Sequence, residues 1–267
     1  MTQAMADRSV LLQVDPRGAA TITLNRPDVH NAFNEDMMLG LTQTLEELRE
    51  QKELRIVLIV SKGESFCAGA DLNYMRKAAG FSEAENEADA HQIGAMLAAV
   101  SSMPVPTVAL VQGAVYGGGV GLLAATEIVV AVKHAVFALT EVKLGIIPAM
   151  ISPWVLAAIG PRQARRYFQT GERFSALDAQ RLGLVHEVVA NETALTAQGE
   201  HVIDQVLKAA PGAVQEAKKL VEDVSGRPVN GMLMDDLAKR IAKRRASDEG
   251  KEGIGAFLER RKANWVV

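Results

Sequence analysis

Three short runs in this chain, 56–60 (Ile-Val-Leu-Ile-Val), Thr107–Val111 and Ile128–Val132, are apolar at almost every position. They limit the possible folds more than any other feature. A strand with one wet face alternates apolar and polar residues, whereas an unbroken apolar run of about five residues reads as a strand covered on both faces. Helical segments lie between and around these runs. Asn34 can cap a helix over 34–51, with Glu35 and Asp36 in its first turn and Leu39, Leu41, Leu45 and Leu48 as its apolar stripe. Ser82 and Glu85 have capping-box spacing before a helix that runs towards Ser101, and 122–125 is helical before the third run. Strands that alternate with helices in this way predict an α/β core.

The two ends are organised differently. Val10–Val14 and 20–24 are β-rich and joined by Asp15-Pro16-Arg17-Gly18, so the chain is expected to open with a hairpin. Beyond about Ile151 the strand signal fades. Gly160-Pro161 separates two helices, Ser175 with Asp178 opens another, and Pro211 suits the first position of one more. The last segments, 231–245 and 248–262, are charged on one side and carry Met232, Leu233, Leu237, Ile241, Ile254, Phe257 and Leu258 on the other. Such helices need a partner surface. No sequence period marks a repeat, and a soft boundary is placed near residue 195, giving a core over 1–195 and a helical region over 196–267.

Composition excludes several function classes. The net charge of -3, from 29 basic and 32 acidic residues, provides no positive field for nucleic acid or an anionic membrane surface. A lone cysteine, Cys67, rules out an internal disulfide and a multi-thiolate metal site and fits a reducing compartment. The first ten residues, with Asp7 and Arg8, lack the apolar stretch of a secretory signal, and no apolar segment reaches the roughly 20 residues that span a bilayer. A soluble, cytoplasmic protein is expected. His30, His91, His134, His186 and His201 are scattered without metal-ligand spacing, so no metal is expected.

The chemistry concentrates in two small-residue turns. Gly117, Gly118, Gly119 and Gly121 follow the strand Thr107–Val111 and precede a helical stretch. Glycine permits close backbone approach, and a helix N-terminus offers unpaired N–H groups to an anion or oxyanion. A tight turn would use the same residues, and neither a dinucleotide nor a P-loop spacing is present. The second turn, Ser65-Phe66-Cys67-Ala68-Gly69-Ala70-Asp71-Leu72, stands in the same relation to the run 56–60. Ligands gather at the carboxyl ends of parallel strands, so each turn could direct one N–H group at a single atom.

With these residues in place, the chain resembles the enoyl-CoA hydratase/isomerase (crotonase) family over nearly its whole length. Leu24-Asn25-Arg26-Pro27 with Asn31-Ala32, the stretch 66–72, the stretch 113–119, the stretch 137–148 and the stretch 256–265 match family motifs in order. The resemblance implies an α/β spiral of strand-strand-helix units with a C-terminal helical region for oligomerisation, a homotrimer or dimer of trimers, and coenzyme A as part of the substrate with no separate cofactor. It implies oxyanion N–H donors at Ala70 and Gly118 and a catalytic glutamate at Glu141. It places coenzyme A beside Arg26 (phosphates), Ala68 (adenine), Val29, Asp71 and Leu72, with Phe257 and Arg260 supplied by a neighbouring subunit. Met75, Arg76, Tyr116 and Gly121 would line the acyl pocket.

One departure bears on the reaction. The family's other glutamate falls at the position of Gly121, so only Glu141 is in register, while Glu127 matches a structural acid. A single carboxylate can take a proton from water and return one to carbon if its pKa is tuned. The implied activity is hydration of a 2-enoyl-CoA. The runs 70–76, 115–122 and 147–153 look closest to the branch that handles 3-methylglutaconyl-CoA and carboxygeranoyl-CoA, whose distal carboxylate would need a cation such as Arg76, Lys77 or Lys143. Double-bond isomerisation and non-catalytic acyl-CoA binding are the alternatives. Cys67 is read as packing.

Overall fold

The computed structural model describes residues 8–266, so Asp7 and the residues before it lie outside the described part. The chain opens with the expected hairpin. β1 (Val10–Val14) runs antiparallel to β2 (Ala19–Leu24), with Val14 opposite Ala20, and the Gly18 N–H closes the turn on the Asp15 carbonyl at 3.0 Å. From β2 onward the main sheet is parallel. It adds β3 (Ile56–Ser61), β4 (Thr107–Val111), β6 (Ile128–Val132) and β9 (Glu187–Val189), in the order β1-β2-β3-β4-β6-β9. Every residue of β4 is buried, as an all-apolar strand covered on both faces must be.

A second layer positions the site. β5 (Ala114–Tyr116) pairs parallel with β7 (Val136–Ala138), which pairs antiparallel with β8 (Arg173–Ser175). Isolated bridges extend this layer from Cys67 to Val115 and from Phe33 to Ala70. Each inner strand of the main sheet is thus followed by a piece of the small layer and then by a helix. β2 leads through Phe33 to α1 (Glu35–Arg49), and β3 leads through 67–70 to α2 (Leu72–Ala78) and α3 (Glu83–Ser101). β4 leads through β5 to α4 (Gly118–Ala125), and β6 leads through β7 to α5 (Ser152–Thr170). This is the strand-strand-helix spiral. Its small-layer pieces are only one to four residues long, which is why no period is visible in the sequence.

Several local expectations hold, and several need correction. The Asn34 side chain accepts the Met37 N–H, Ser82 and Glu85 form a reciprocal capping box, and Ser175 does the same with Asp178 at α6 (Ala176–Leu182). Gly160, at φ 73° and ψ 160°, breaks α5 just before Pro161. Leu39 is not part of the buried stripe of α1. It is 56% exposed, and Met37 and Met38 turn inward with Leu41, Leu45 and Leu48. Strands also continue past Ile151, because β8 and β9, at three residues each, are too short to carry a period.

The position near 195 lies inside α7 (Glu192–Lys208), which packs on the main sheet with Leu195 and Ile203 buried. The helical appendage therefore starts later, with α8 (Pro211–Val224), α9 (Gly231–Ala246) and α10 (Asp248–Leu258). Leu233 and Ala256 face inward there, while Met232, Phe257 and Leu258 remain exposed. Glu127 is structural. Its carboxylate accepts the Thr107 N–H at 3.0 Å and pairs with Lys218 of α8 at 3.1 Å. Among the described residues no helix is long and apolar enough to cross a membrane.

Candidate active site

The two turns singled out in the sequence meet around Phe33. Its N–H donates to the Gly69 carbonyl at 2.7 Å, and the Asp71 N–H donates to the Phe33 carbonyl at 2.9 Å, so the backbone of Phe33 brackets Ala70. The edge of the same ring lies 3.0 Å from where a Cβ on Gly118 would stand. Gly119 packs equally closely on Cys67, whose carbonyl oxygen would be 2.9 Å from its Cβ. Glycine is required in this run because any side chain would push the two turns apart.

The backbone N–H groups of Ala70 and Gly118 donate to no acceptor among the described residues, as do those of Gly69 and Gly119, while Asp71 and Gly117 beside them are bonded. Gly117 donates to the Ala138 carbonyl at 3.0 Å, and Tyr116 donates to the Cys67 carbonyl at 2.9 Å. Gly118 is the first residue of α4, where an N–H lacks an intrahelical acceptor and faces the positive end of the helix dipole. The reversal at Gly117, φ 49° and ψ −117°, turns β5 directly into this helix. Two such donors can stabilise an oxygen that gains negative charge.

Glu141 approaches from the small layer. It opens the short 3-10 turn Glu141–Leu144 directly after β7, and its Oε1 lies 3.2 Å from the Cβ position of Gly117. Its Oε2 is buried without a hydrogen-bond partner. Burial holds the carboxyl above its ordinary pKa, and a hydrogen bond from its own backbone N–H opposes this only in part. A carboxyl raised in this way, packed against Gly117 just before the Gly118 N–H, can accept and return a proton.

The loop carrying Ala70 is braced from β2. Asn31, fully buried at φ 54°, donates through Nδ2 to the carbonyls of Lys62 and Ser65 and accepts the Arg26 N–H at Oδ1, each at 2.8 Å. Arg26, expected beside phosphates, has two guanidinium N–H groups engaged within the chain. One pairs with Asp71 at 2.8 Å and the other donates to the Ala32 carbonyl at 2.7 Å. Asp71 also caps α2 by accepting the N–H groups of Asn73 and Tyr74. Asp71 is nearly inaccessible, and its carboxyl is held low by Arg26 and these N–H groups despite burial. The Ala68 N–H reaches the His30 carbonyl at 3.0 Å, which sets the 27–30 turn beside this loop, with Val29 and Leu72 exposed on its rim.

The remaining expected residues scatter more widely. Met75 is half-buried on α2, and Arg76 donates to Asn73 at 2.7 Å. The Tyr116 ring lies beneath the Arg173 guanidinium, 5.6 Å from the ring centroid. Gly121 does not line an open pocket. It is buried, and a Cβ there would sit 2.3 Å from Cγ2 of Ile151. Phe257 and Arg260 are not brought to the loops around Ala70. Phe257 is 81% exposed on α10, which packs against α9. Cys67 is fully buried, and burial pushes its thiol up to about 12, so it is inert packing. Among the described residues no cluster of His, Cys, Asp or Glu could hold a metal.

Phe33 carried no signal in the sequence, and Ile151 entered only as part of the run 147–153. Phe33 reads only as an apolar residue before a cap, and Ile151 matters through a contact with a residue 30 positions away. Asn31 belongs to a quoted motif, but its bracing role depends on partners in another loop.

The comparisons agree with this geometry. A family model described as enoyl-CoA hydratase/isomerase matches residues 15–266. The solved structure of an enoyl-CoA hydratase from Shewanella pealeana superposes with a TM-score of 0.92 at 38% identity, covering 99% of this chain and 100% of that one. The human mitochondrial enoyl-CoA hydratase domain-containing protein 2 is 32% identical over 262 residues, 94% of this chain and 86% of its own. A crotonyl-CoA hydratase from Syntrophomonas wolfei is 28% identical over 271 residues, 98% of this chain and 99% of its own.

Proposed function

Because the chain belongs to the enoyl-CoA hydratase/isomerase family, we propose that it adds water across the double bond of a 2-enoyl-CoA thioester, or removes it. The N–H groups of Ala70 and Gly118 hold the thioester oxygen, and Glu141 moves the proton. The observation that carries this reading is the buried, unpartnered Oε2 of Glu141, on a carboxylate packed against Gly117 and next to a free helix N-terminal N–H. Glu141 takes a proton from water as the water oxygen bonds to Cβ, and the π electrons move onto the thioester oxygen. The enolate then takes that proton at Cα, and the carboxylate is restored. Loss of one oxyanion donor typically costs about 3 kcal/mol of transition-state stabilisation.

Coenzyme A is substrate here, lying along the loops 26–31 and 66–72 with its adenine near Ala68, Val29 and Leu72. Arg26 and Asp71 hold those loops together and leave the remaining guanidinium edge for phosphate. Phe257 and Arg260 would reach this groove from a neighbouring subunit of a homotrimer or dimer of trimers, in the cytoplasm. A branched dicarboxylic acyl group such as 3-methylglutaconyl is the finer assignment. Of the candidate cations, Lys77 is paired with Glu35, Arg76 bonds Asn73, and Lys143 lies along Gly171 with its charge acting on Glu172, so reading a distal carboxylate would require one of them to leave its present contact.

The direct test supplies crotonyl-CoA and 3-methylglutaconyl-CoA and follows the absorbance of the conjugated thioester. Decay with either supports hydration, and flat traces with both count against it. Isomerisation is the second reading, favoured by the single acid, since one carboxylate suffices to carry a proton between carbons. Labelled water separates the two, because only hydration places the labelled oxygen on Cβ.

A further inference from the structure

Gly118 and Gly121 stand one turn apart on the same side of α4. A side chain at 121 would therefore rise beside the oxyanion donor, in the region that Glu141 borders through Gly117. That room is filled. Ile151, 4% exposed, places Cγ2 2.3 Å and Cβ 2.7 Å from the Cβ position of Gly121, and Leu97 Cδ1 lies 3.6 Å away.

Ile151 is fixed in this place. Its carbonyl accepts the Val155 N–H at the start of α5, and the Cε of its neighbour Met150 lies 2.6 Å from the Cβ position of Gly94 on α3. The segment 150–151 is thus keyed into two glycine notches on two helices. The obstruction at 121 includes the branch point of a β-branched side chain, which cannot swing aside as the far end of a long side chain could.

We propose that Ile151 is the residue that makes this a one-carboxylate site. It takes the space a second acid on α4 would need, walls the reacting carbons with hydrocarbon on that side, and leaves proton transfer to Glu141 alone. The inference rests on the enoyl-CoA reading for its chemistry but not for its packing, so two measurements separate them.

The first is a thermal-unfolding cycle with Gly121→Ala, Ile151→Ala and the double variant. Gly121→Ala alone should lower Tm clearly, and the same change should cost far less once Ile151 is truncated. Additive shifts would overturn the proposal whatever the enzyme does. The second combines Gly121→Glu with Ile151→Ala in a Glu141→Gln background and follows crotonyl-CoA hydration. Turnover should rise about tenfold or more over Glu141→Gln alone, because a carboxylate now reaches the reacting carbons. A folded triple variant no faster than Glu141→Gln places position 121 away from the chemistry and sinks the proposal. Wild-type protein inert towards every enoyl-CoA, with the unfolding cycle still coupled, would instead remove the proposed function.

Discussion

Glu141 has its charge removed from water without any compensating cation. Where a carboxyl's pKa is raised in the folded protein, the native state binds more protons than the unfolded chain between the ordinary and the raised value. Stability therefore falls as pH rises through that window, and above it the buried charge is a fixed cost. Glu141→Gln keeps the shape and removes the charge. It should cut turnover about a hundredfold or more and raise Tm at pH 7, and the gain in Tm should shrink to nothing as pH is lowered through the raised value to below about 4.3, the ordinary glutamate pKa. Activity assays with thermal unfolding across pH test both halves. A variant less stable than wild type at neutral pH would mean that the carboxylate has a stabilising partner.

Asp71 acts at the scale of an element. One carboxylate caps α2, pairs with Arg26 and anchors the loop that presents the Ala70 N–H. Asp71→Ala removes the cap, which alone costs about 1 kcal/mol, and leaves a largely buried guanidinium with one bond fewer. Tm should fall by several degrees. The donor geometry should loosen with it, so kcat should drop more than KM rises. An unchanged kcat with a reduced Tm would show that the loop keeps its place without Asp71. Capping was also where local sequence was most informative. Asn34, Ser82 and Ser175 were identifiable because a cap and its partner lie within three residues of each other. The three-residue strands β8 and β9 went unseen because their pairing partners are distant.

For the whole molecule, the unsatisfied feature is the apolar side of the last helices. Met232 on α9 and Phe257 and Leu258 on α10 are each more than 70% exposed, and an apolar helix side of this kind is a natural contact for a neighbouring subunit. Phe257→Ser should leave the secondary structure intact while shifting the assembly towards smaller species in light scattering and raising KM for the acyl-CoA. A variant that keeps both the mass and the KM of wild type would separate Phe257 from assembly and from substrate.

The sequence alone determined the fold class, the order of the long elements, the caps, and the three places where backbone or carboxylate chemistry could reside: the 66–72 turn, the glycine run and Glu141. The fold class, the element order, the caps and the two turns follow from short-range regularities, namely apolar runs, cap spacings and clustered small residues, whereas Glu141 was singled out by the family resemblance. Only the tertiary structure decided that the two turns close around Phe33, that Arg26 is tied to Asp71 and Ala32, that β9 completes the sheet, and that Ile151 stands where a side chain on Gly121 would be. Each of these is a contact between residues far apart in the chain, set by how the two sheet layers and the helices pack. Close packing leaves no trace in the local pattern of either partner.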